Sequence, residues 1–318
     1  MNLNFKKALV TGGAGFIGSH LVDALLSADC DVTVLDNLST GHLANLRHIE
    51  NRITFYKGDI RNQEILIKTA KDCDIIFHLA AVVSVPQTVD NPLDSAMVND
   101  MGTLYVLEVA RKNNVKRVVL ASSCAVYGDD PDLPKREIMN PKPQSPYAVQ
   151  KLFGEFYARL YFELYGLGTV CLRYFNVYGP RQDPSSLYSG VISIFMNKAS
   201  SEDLPVIYGD GNQYRDFIFV KDAARSNLLA ANADEAVGKT FNVGTGKFIR
   251  INKLWEMISQ RAGINVEPEY QGSRPGDIRE SVANIDYARK TLGFNPEYSF
   301  EKGLKETFDW YQDQQNKW

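Results

Sequence analysis

The chain has 318 residues, 44% of them hydrophobic and 23% charged, with a formal net charge of −3 at pH 7. A chain this long can bury a large core, and because single cores stop growing near ~250–300 residues it predicts two lobes. The slightly negative charge offers no basic footprint for nucleic acid, and no apolar run reaches the ~18 residues that would suggest a membrane span. Four dispersed cysteines (Cys30, Cys73, Cys124, Cys171) form no C-x-x-C pair. Their spacing argues against a zinc site, no metal is expected, and a reducing, cytoplasmic setting is.

In chain order, short β-branched runs alternate with helical patterns. "KALVTG", "DVTVLD" (31–36), "ITFYKGD" (53–59), "DIIFHLA" (74–80), "VKRVVLAS" (115–122) and "TVCLRYF" (169–175) all read as buried strands. Segments such as "SHLVDALLS" and "TLYVLEVARKNN" separate most of them with helical periodicity. The alternation predicts an α/β fold, a doubly wound parallel sheet of Rossmann type covered on both faces. Residues 146–165 read as one long helix, with Ser145 as its cap, Pro146 at its first position and Gly166 at its end. After residue 176 the pattern breaks into Pro/Gly loops and short helices, while "TFNVGTG" (240–246) looks like one more strand. The expected division is therefore 1–175 plus a returning segment at about 214–246, and a smaller α/β lobe formed by 176–213 and 247–318.

"TGGAGFIGSH" (11–20) follows the first strand and opens a helix. Gly12, Gly15 and Gly18 permit a tight turn and close backbone approach to a pyrophosphate seated on the helix N-terminus, with Phe16 and Ile17 beside it. The next strand ends in Asp36, where a carboxylate can hold both hydroxyls of an adenosine ribose and repel a 2′-phosphate, so NAD is favoured over NADP. Asn37, Ser39, Thr40 and Gly41 follow it. Asp59 and Ile60 of "GDI", and Leu79, Ala80 and Ala81 of "HLAA", fall at further strand ends on the same sheet edge.

In "SPYAVQK" (145–151), Tyr147 and Lys151 project from one face of the long helix, one turn apart. Together with the glycine loop, "DNLSTG", "HLAA", "SSCAVYG" (122–128), "LRYFNVYGPRQDP" (172–184) and "RDFIFVKD" (215–222), this motif resembles the extended short-chain dehydrogenase/reductases. Within them the chain is most similar to nucleotide-sugar 4-epimerases of the UDP-glucose and UDP-N-acetylglucosamine type. A free tyrosine, with a pKa of about 10, is a poor base near neutrality. An ammonium one turn away and a positive nicotinamide would favour the phenolate, so Tyr147 is the expected base. The resemblance implies that Ser123 hydrogen-bonds the reacting hydroxyl and that Lys151 also holds the nicotinamide ribose. Related dehydratases and decarboxylating synthases carry acidic residues after that serine. This chain has Cys124 and Ala125 there, so elimination is disfavoured and 4-epimerisation is expected.

For the substrate, the resemblance implies that Arg215 and Arg274 bind the diphosphate of a UDP-sugar and that Asp277 binds the uridine ribose. Asn176 matches a further diphosphate contact, Val206 and Tyr208 the edge that holds uracil, and Ser84 the turn facing the sugar. Ser281 matches a size gate beside the hexose, where a small residue leaves room for an N-acetyl group. UDP-GlcNAc/UDP-GalNAc is therefore the expected pair, with UDP-Glc/UDP-Gal also admitted. An epimerase acting on another UDP-sugar such as UDP-glucuronate, or a non-catalytic dinucleotide-binding protein, are the alternatives. The helices around 100–113 and 146–165 resemble the pair that forms an intersubunit bundle in this family, which implies a homodimer.

Overall fold

A computed structural model describes residues 1–183, 190–272 and 278–315. Its first half runs β1 (Lys7–Thr11), α1 (Phe16–Leu26), β2 (Asp31–Asp36), β3 (Ile53–Lys57), α2 (Gln63–Ala70), β4 (Ile75–His78), α3 (Val85–Asp90) and α4 (Pro92–Ala96). A π-helical turn (Met97–Gly102) leads into α5 (Thr103–Lys112), followed by β5 (Arg117–Ser123), α6 (Pro146–Tyr165) and β6 (Gly168–Tyr174). The second half comprises β7 (Asn176–Tyr178), α7 (Val191–Ser200), β8 (Val206–Tyr208), β9 (Tyr214–Arg215), β10 (Phe217–Phe219), α8 (Val220–Asn232) and β11 (Lys239–Val243). It ends with β12 (Ile249–Arg250), α9 (Ile251–Ala262), β13 (Glu269–Gln271), β14 (Glu280–Ser281), α10 (Asp286–Leu292) and α11 (Phe300–Gln315).

Seven strands form one sheet in the order β11-β6-β5-β4-β1-β2-β3, every pair parallel. The doubly wound expectation is met. "TFNVGTG" does return to the sheet, as its outermost strand beside β6. The order reverses between β1 and β4, and such a switch point opens a crevice at the carboxyl ends of the strands. Alternate strand residues face opposite helical layers. Val10, Val34 and Phe77 pack with Leu21, Val22 and Leu25 of α1, while Leu9, Leu35 and Ile76 pack with Leu66, Val106 and Leu107 from α2 and α5.

Beyond β6 the segments are more regular than their sequence suggests. α8 and α11 run 13 and 16 residues. A separate core joins Phe195 of α7, Leu254 and Trp255 of α9, Leu304 and Phe308 of α11, and Phe217 and Phe219 of β10. Very short strands build three small sheets around it: β10 with β7, β12-β9-β14, and β13 with β8. Among the described residues no helix is long and apolar enough to cross a membrane.

Helix α6 matters most for the site, and its ends follow from local chemistry. Ser145 Oγ accepts the Ala148 amide at 3.2 Å, Pro146 occupies the first turn, and Gly166 closes the helix at φ +69°. A side-chain cap of this kind contributes about 1 kcal/mol.

Candidate active site

At the carboxyl edge of β1 the chain turns at Gly12, whose φ of +72° suits only glycine comfortably. A Cβ there would stand 2.7 Å from the Ala80 amide nitrogen, so the loop packs directly on the backbone leaving β4. A Cβ on Gly18 would fall 2.1 Å from the Gly12 carbonyl oxygen. Helix α1 starts after Gly15 with no side-chain cap and no acidic residue in its first turn. Its first amides therefore point at the crevice, which suits an anion. Phe16 and Ile17 are half-buried in that first turn. The cradle fits a dinucleotide pyrophosphate.

Asp36 ends β2 and is buried. Its Oδ2 accepts the Ala14 amide at 2.9 Å and its Oδ1 the Leu38 amide at 2.8 Å. Burial raises its carboxyl above the usual range, while those two donors oppose the rise. Gly41 lies against it, since a Cβ there would stand 3.0 Å from both carboxylate oxygens. Asn37, Ser39 and Thr40 line the exposed turn between them. Asp59 accepts from Nε and Nη2 of Arg61 and from Nδ2 of Asn37, and the Arg61 hydrogen bonds hold its carboxyl down to about 2. Ile60 is buried in the core layer beneath, while Leu79, Ala80 and Ala81 stay half-buried at the end of β4.

Ser123 ends β5, and Tyr147 and Lys151 stand on α6 above it. A side-chain hydrogen bond with Ser123 pulls the Tyr147 phenol down, but burial outweighs it and pushes the phenol up to about 12. Ser123 Oγ also accepts the Ala125 amide at 3.2 Å. Lys151 Nζ donates to the Ala121 carbonyl at 2.9 Å and lies 5.8 Å from the Tyr147 ring centre. Burial pushes its ammonium down to about 8. Desolvation of the phenol dominates, and the ammonium is turned to a backbone carbonyl.

On the substrate side, Ser281 is buried on β14, and its hydroxyl hydrogen-bonds the Cys124 thiol beside Ser123. Burial pushes that thiol up to about 11, against the pull of Arg215 and Ser281, so Cys124 stays a neutral wall residue. Arg215 on β9 donates Nη1 to the Tyr214 and Arg279 carbonyls at 3.0 and 3.1 Å. Asn176 Nδ2 donates to the Asp216 carbonyl at 3.0 Å. Ser84 caps α3 by accepting the Gln87 amide at 3.0 Å. Val206 and Tyr208 are half-buried on β8. Arg274 and Asp277 lie outside the described residues.

Several residues escaped the sequence reading. Asp216 is completely buried, and its carboxylate accepts from the Thr245, Gly246 and Ala283 amides and the Thr245 hydroxyl. It thereby ties the turn after β11 and the segment after β14 to the strand carrying Arg215. His78 joins Thr11 Oγ1 at Nδ1 (2.8 Å) and Thr103 Oγ1 at Nε2 (3.0 Å). Because Thr103 spends its own hydrogen on the Asn99 carbonyl, Nε2 of His78 carries the proton. The ring is neutral, with burial pushing it down to about 3. In the π-helical turn, Asn99 grips both Val82 backbone groups and Gln150, the neighbour of Lys151. The visible signal for Asp216 was its place in "RDF"; a π turn has no comparable signature.

The family described as NAD dependent epimerase/dehydratase matches residues 8–244. A UDP-glucose 4-epimerase of Mycolicibacterium smegmatis is 39% identical over 312 residues, covering 96% of this chain and 99% of that one. The structure of a UDP-N-acetylglucosamine 4-epimerase from Methanobrevibacter ruminantium, in complex with UDP-N-acetylmuramic acid, superposes with a TM-score of 0.94 at 44% identity, covering 99% and 100% of the two chains. A Thermus thermophilus UDP-glucose 4-epimerase complexed with NAD gives a TM-score of 0.87 at 36% identity, covering 96% and 99%. The chain belongs to the NAD dependent epimerase/dehydratase family. It is an enzyme, and its cofactor is NAD.

Because the Gly18 Cβ would collide with the Gly12 carbonyl, Gly18→Ala is expected to purify with little or no NAD, read from the ultraviolet absorbance of an acid extract. A variant carrying the wild-type NAD content would contradict the cradle.

Proposed function

We propose that the enzyme is a UDP-sugar 4-epimerase that interconverts UDP-GlcNAc and UDP-GalNAc and also admits UDP-Glc and UDP-Gal. The observation carrying this reading is the half-buried Ser123–Tyr147–Lys151 set on the cofactor edge, with Cys124 and Ser281 beside Ser123 and no second acid or base there among the described residues. In this reading residues 1–175 and about 214–246 hold NAD, and residues 176–213 and 247–318 form the lobe for the nucleotide sugar.

NAD, when bound, supplies a group that takes hydride from a sugar carbon and can give it back. The amides at the start of α1 and the Gly12–Ala80 contact would hold its pyrophosphate, and Asp36 its adenosine ribose. Asn37, Ser39, Thr40, Gly41, Asp59, Ile60, Leu79, Ala80 and Ala81 would line the rest, and Lys151 would hold the nicotinamide ribose. Tyr147 Oη takes the proton of the 4-hydroxyl as that carbon becomes a ketone, and returns it when the hydroxyl re-forms on the other face. Ser123 Oγ hydrogen-bonds the same oxygen. Since burial favours the neutral phenol, the positive charge needed for a phenolate must come from Lys151 and the oxidised cofactor together. Arg215, with Arg274, would take the diphosphate through planar two-hydrogen-bond contacts. Asn176, Val206, Tyr208, Asp277 and Ser84 would complete the substrate contacts.

The outward side of α6 supports a homodimer. Val149, Phe156, Leu160 and Leu164 are exposed on it, as are Val89, Leu93 and Met97 on neighbouring segments. An apolar helix face of this kind calls for a partner, and a two-fold symmetric copy supplies one. Light scattering at micromolar concentration is expected to give a dimer mass, and a monomer would contradict the pairing.

Tyr147→Phe is expected to keep the fold and bound NAD while losing turnover by ~10²–10⁴-fold. Activity near the wild-type level would remove Tyr147 as the acid–base group.

The sugar preference rests on Ser281, and a panel of UDP-sugars assayed without added NAD tests it. Wild type should interconvert UDP-GlcNAc and UDP-GalNAc. Ser281→Tyr should lose that activity yet keep UDP-Glc/UDP-Gal, because overfilling a tight site costs about 1–3 kcal/mol or more. Unchanged acetylated activity in Ser281→Tyr, or a wild type restricted to the plain hexoses or to UDP-glucuronate, would overturn the assignment.

A further inference from the structure

We infer that Glu155 is a positioning residue of the reaction, the group that sets Tyr147 and Lys151 against Ser123. Tyr147, Lys151 and Glu155 follow one another at four-residue intervals on α6 and so form a single stripe along the helix. Glu155 is buried, and its carboxylate accepts Arg173 Nε at 2.8 Å, Arg173 Nη2 at 2.7 Å and Ser122 Oγ at 2.5 Å. Ser122 and Arg173 are themselves register partners across the parallel pair β5/β6.

Both partners lead straight to the reacting serine. Ser122 immediately precedes Ser123 on β5. The Arg173 guanidinium lies 4.7 Å from the ring centre of Tyr127, the last residue of the turn Cys124–Tyr127 that follows Ser123. Tyr127 in turn donates its hydroxyl to Asn242 of β11 at 2.7 Å. One carboxylate therefore joins the helix bearing Tyr147 and Lys151 to the strand end bearing Ser123.

A small pocket of about 20 Å³ lies on the same stripe, lined by Lys151, Glu155, Ser122 and Gln150 together with the apolar Leu120 and Cys171. That is room for one water, which needs ~10–15 Å³. Lys151, whose Nζ donates to the Ala121 carbonyl, and Glu155, whose carboxylate is held by Ser122 and Arg173, both line this space. A buried ion pair is weak evidence of a stabilising role, because apolar residues of similar volume often replace one at no cost in stability. What a planar, bidentate pair does supply is a fixed direction and rotation of the helix relative to the sheet.

The inference rests on Tyr147 being the acid–base group. Steady-state kinetics per NAD-loaded site, on the UDP-sugar that wild type turns over fastest, compare Glu155→Gln, Ser122→Ala, the double variant Glu155→Leu/Arg173→Met, and Tyr147→Phe. Glu155→Gln should lower kcat by ~10- to 100-fold, the scale of a small misplacement of reacting groups, with KM and NAD content unchanged. Ser122→Ala should lower kcat in the same sense and leave KM alone. The double variant, which removes both charges, should fold without recovering kcat. If Glu155→Gln fails to fold, Ser122→Ala and the double variant decide. Wild-type kcat in the folded variants, or a loss that appears in KM instead, overturns the positioning role. An active Tyr147→Phe would sink the acid–base reading itself, whereas an inactive Tyr147→Phe beside a fully active Glu155→Gln sinks only the role of Glu155.

Discussion

Placing a phenol and an ammonium partly out of water is costly unless each finds a partner, and the arrangement around α6 answers that cost. Lys151 gives a hydrogen to the Ala121 carbonyl, and Tyr147 shares a hydrogen bond with Ser123 two residues further along the same strand. Both partners sit at the carboxyl end of β5, so the height of α6 over that strand sets whether either bond can form. Ser145 starts the helix at the right residue, and Gln150 and Glu155 on the helix anchor it sideways to Asn99 and Arg173. Burial then leaves the phenol neutral and the ammonium easier to deprotonate than a free lysine. A site of this kind is poised for proton movement only when further positive charge stands beside the phenol.

The sheet order provides the place where that charge can stand. Strands β1 and β4 adjoin at the point where the winding reverses, and Gly12 brings its backbone against Ala80 there. His78, neutral and held between Thr11 and Thr103, links the residue before the glycine loop to the π turn. Through Asn99 the same chain of hydrogen bonds reaches the helix of Tyr147 and Lys151. The second core is connected by Asp216, whose buried carboxylate gathers three amides and a hydroxyl from two later segments. A buried polar group so fully satisfied specifies one arrangement of those segments.

Much of this could be read from the chain. The β-branched runs named the strands of the large sheet, "TFNVGTG" included, because a buried parallel strand needs a continuous apolar run and little else. Ser145, Pro146 and Gly166 marked both ends of α6 correctly, since caps are local chemistry. The small sheets were illegible: β9, β12 and β14 have two residues each, too few for any period. α8 and α11 were under-read because their apolar faces turn toward partners far away in the chain. At the site, spacing revealed Tyr147 and Lys151 but not what burial does to them, which depends on packing from several strands. Glu155 stood in view one turn beyond Lys151, but its partner Arg173 is the one charged residue of a strand that otherwise reads as a buried run.

Hydride that leaves and returns to the same carbon gives the most direct measurement of the mechanism. A UDP-sugar deuterated at C4, turned over without added NAD and followed by mass spectrometry and NMR, should yield the 4-epimer with deuterium still at C4 and none in the solvent. Loss of the label to water would mean that a proton, not a hydride, leaves that carbon, and would contradict the assignment of Tyr147 to the hydroxyl proton.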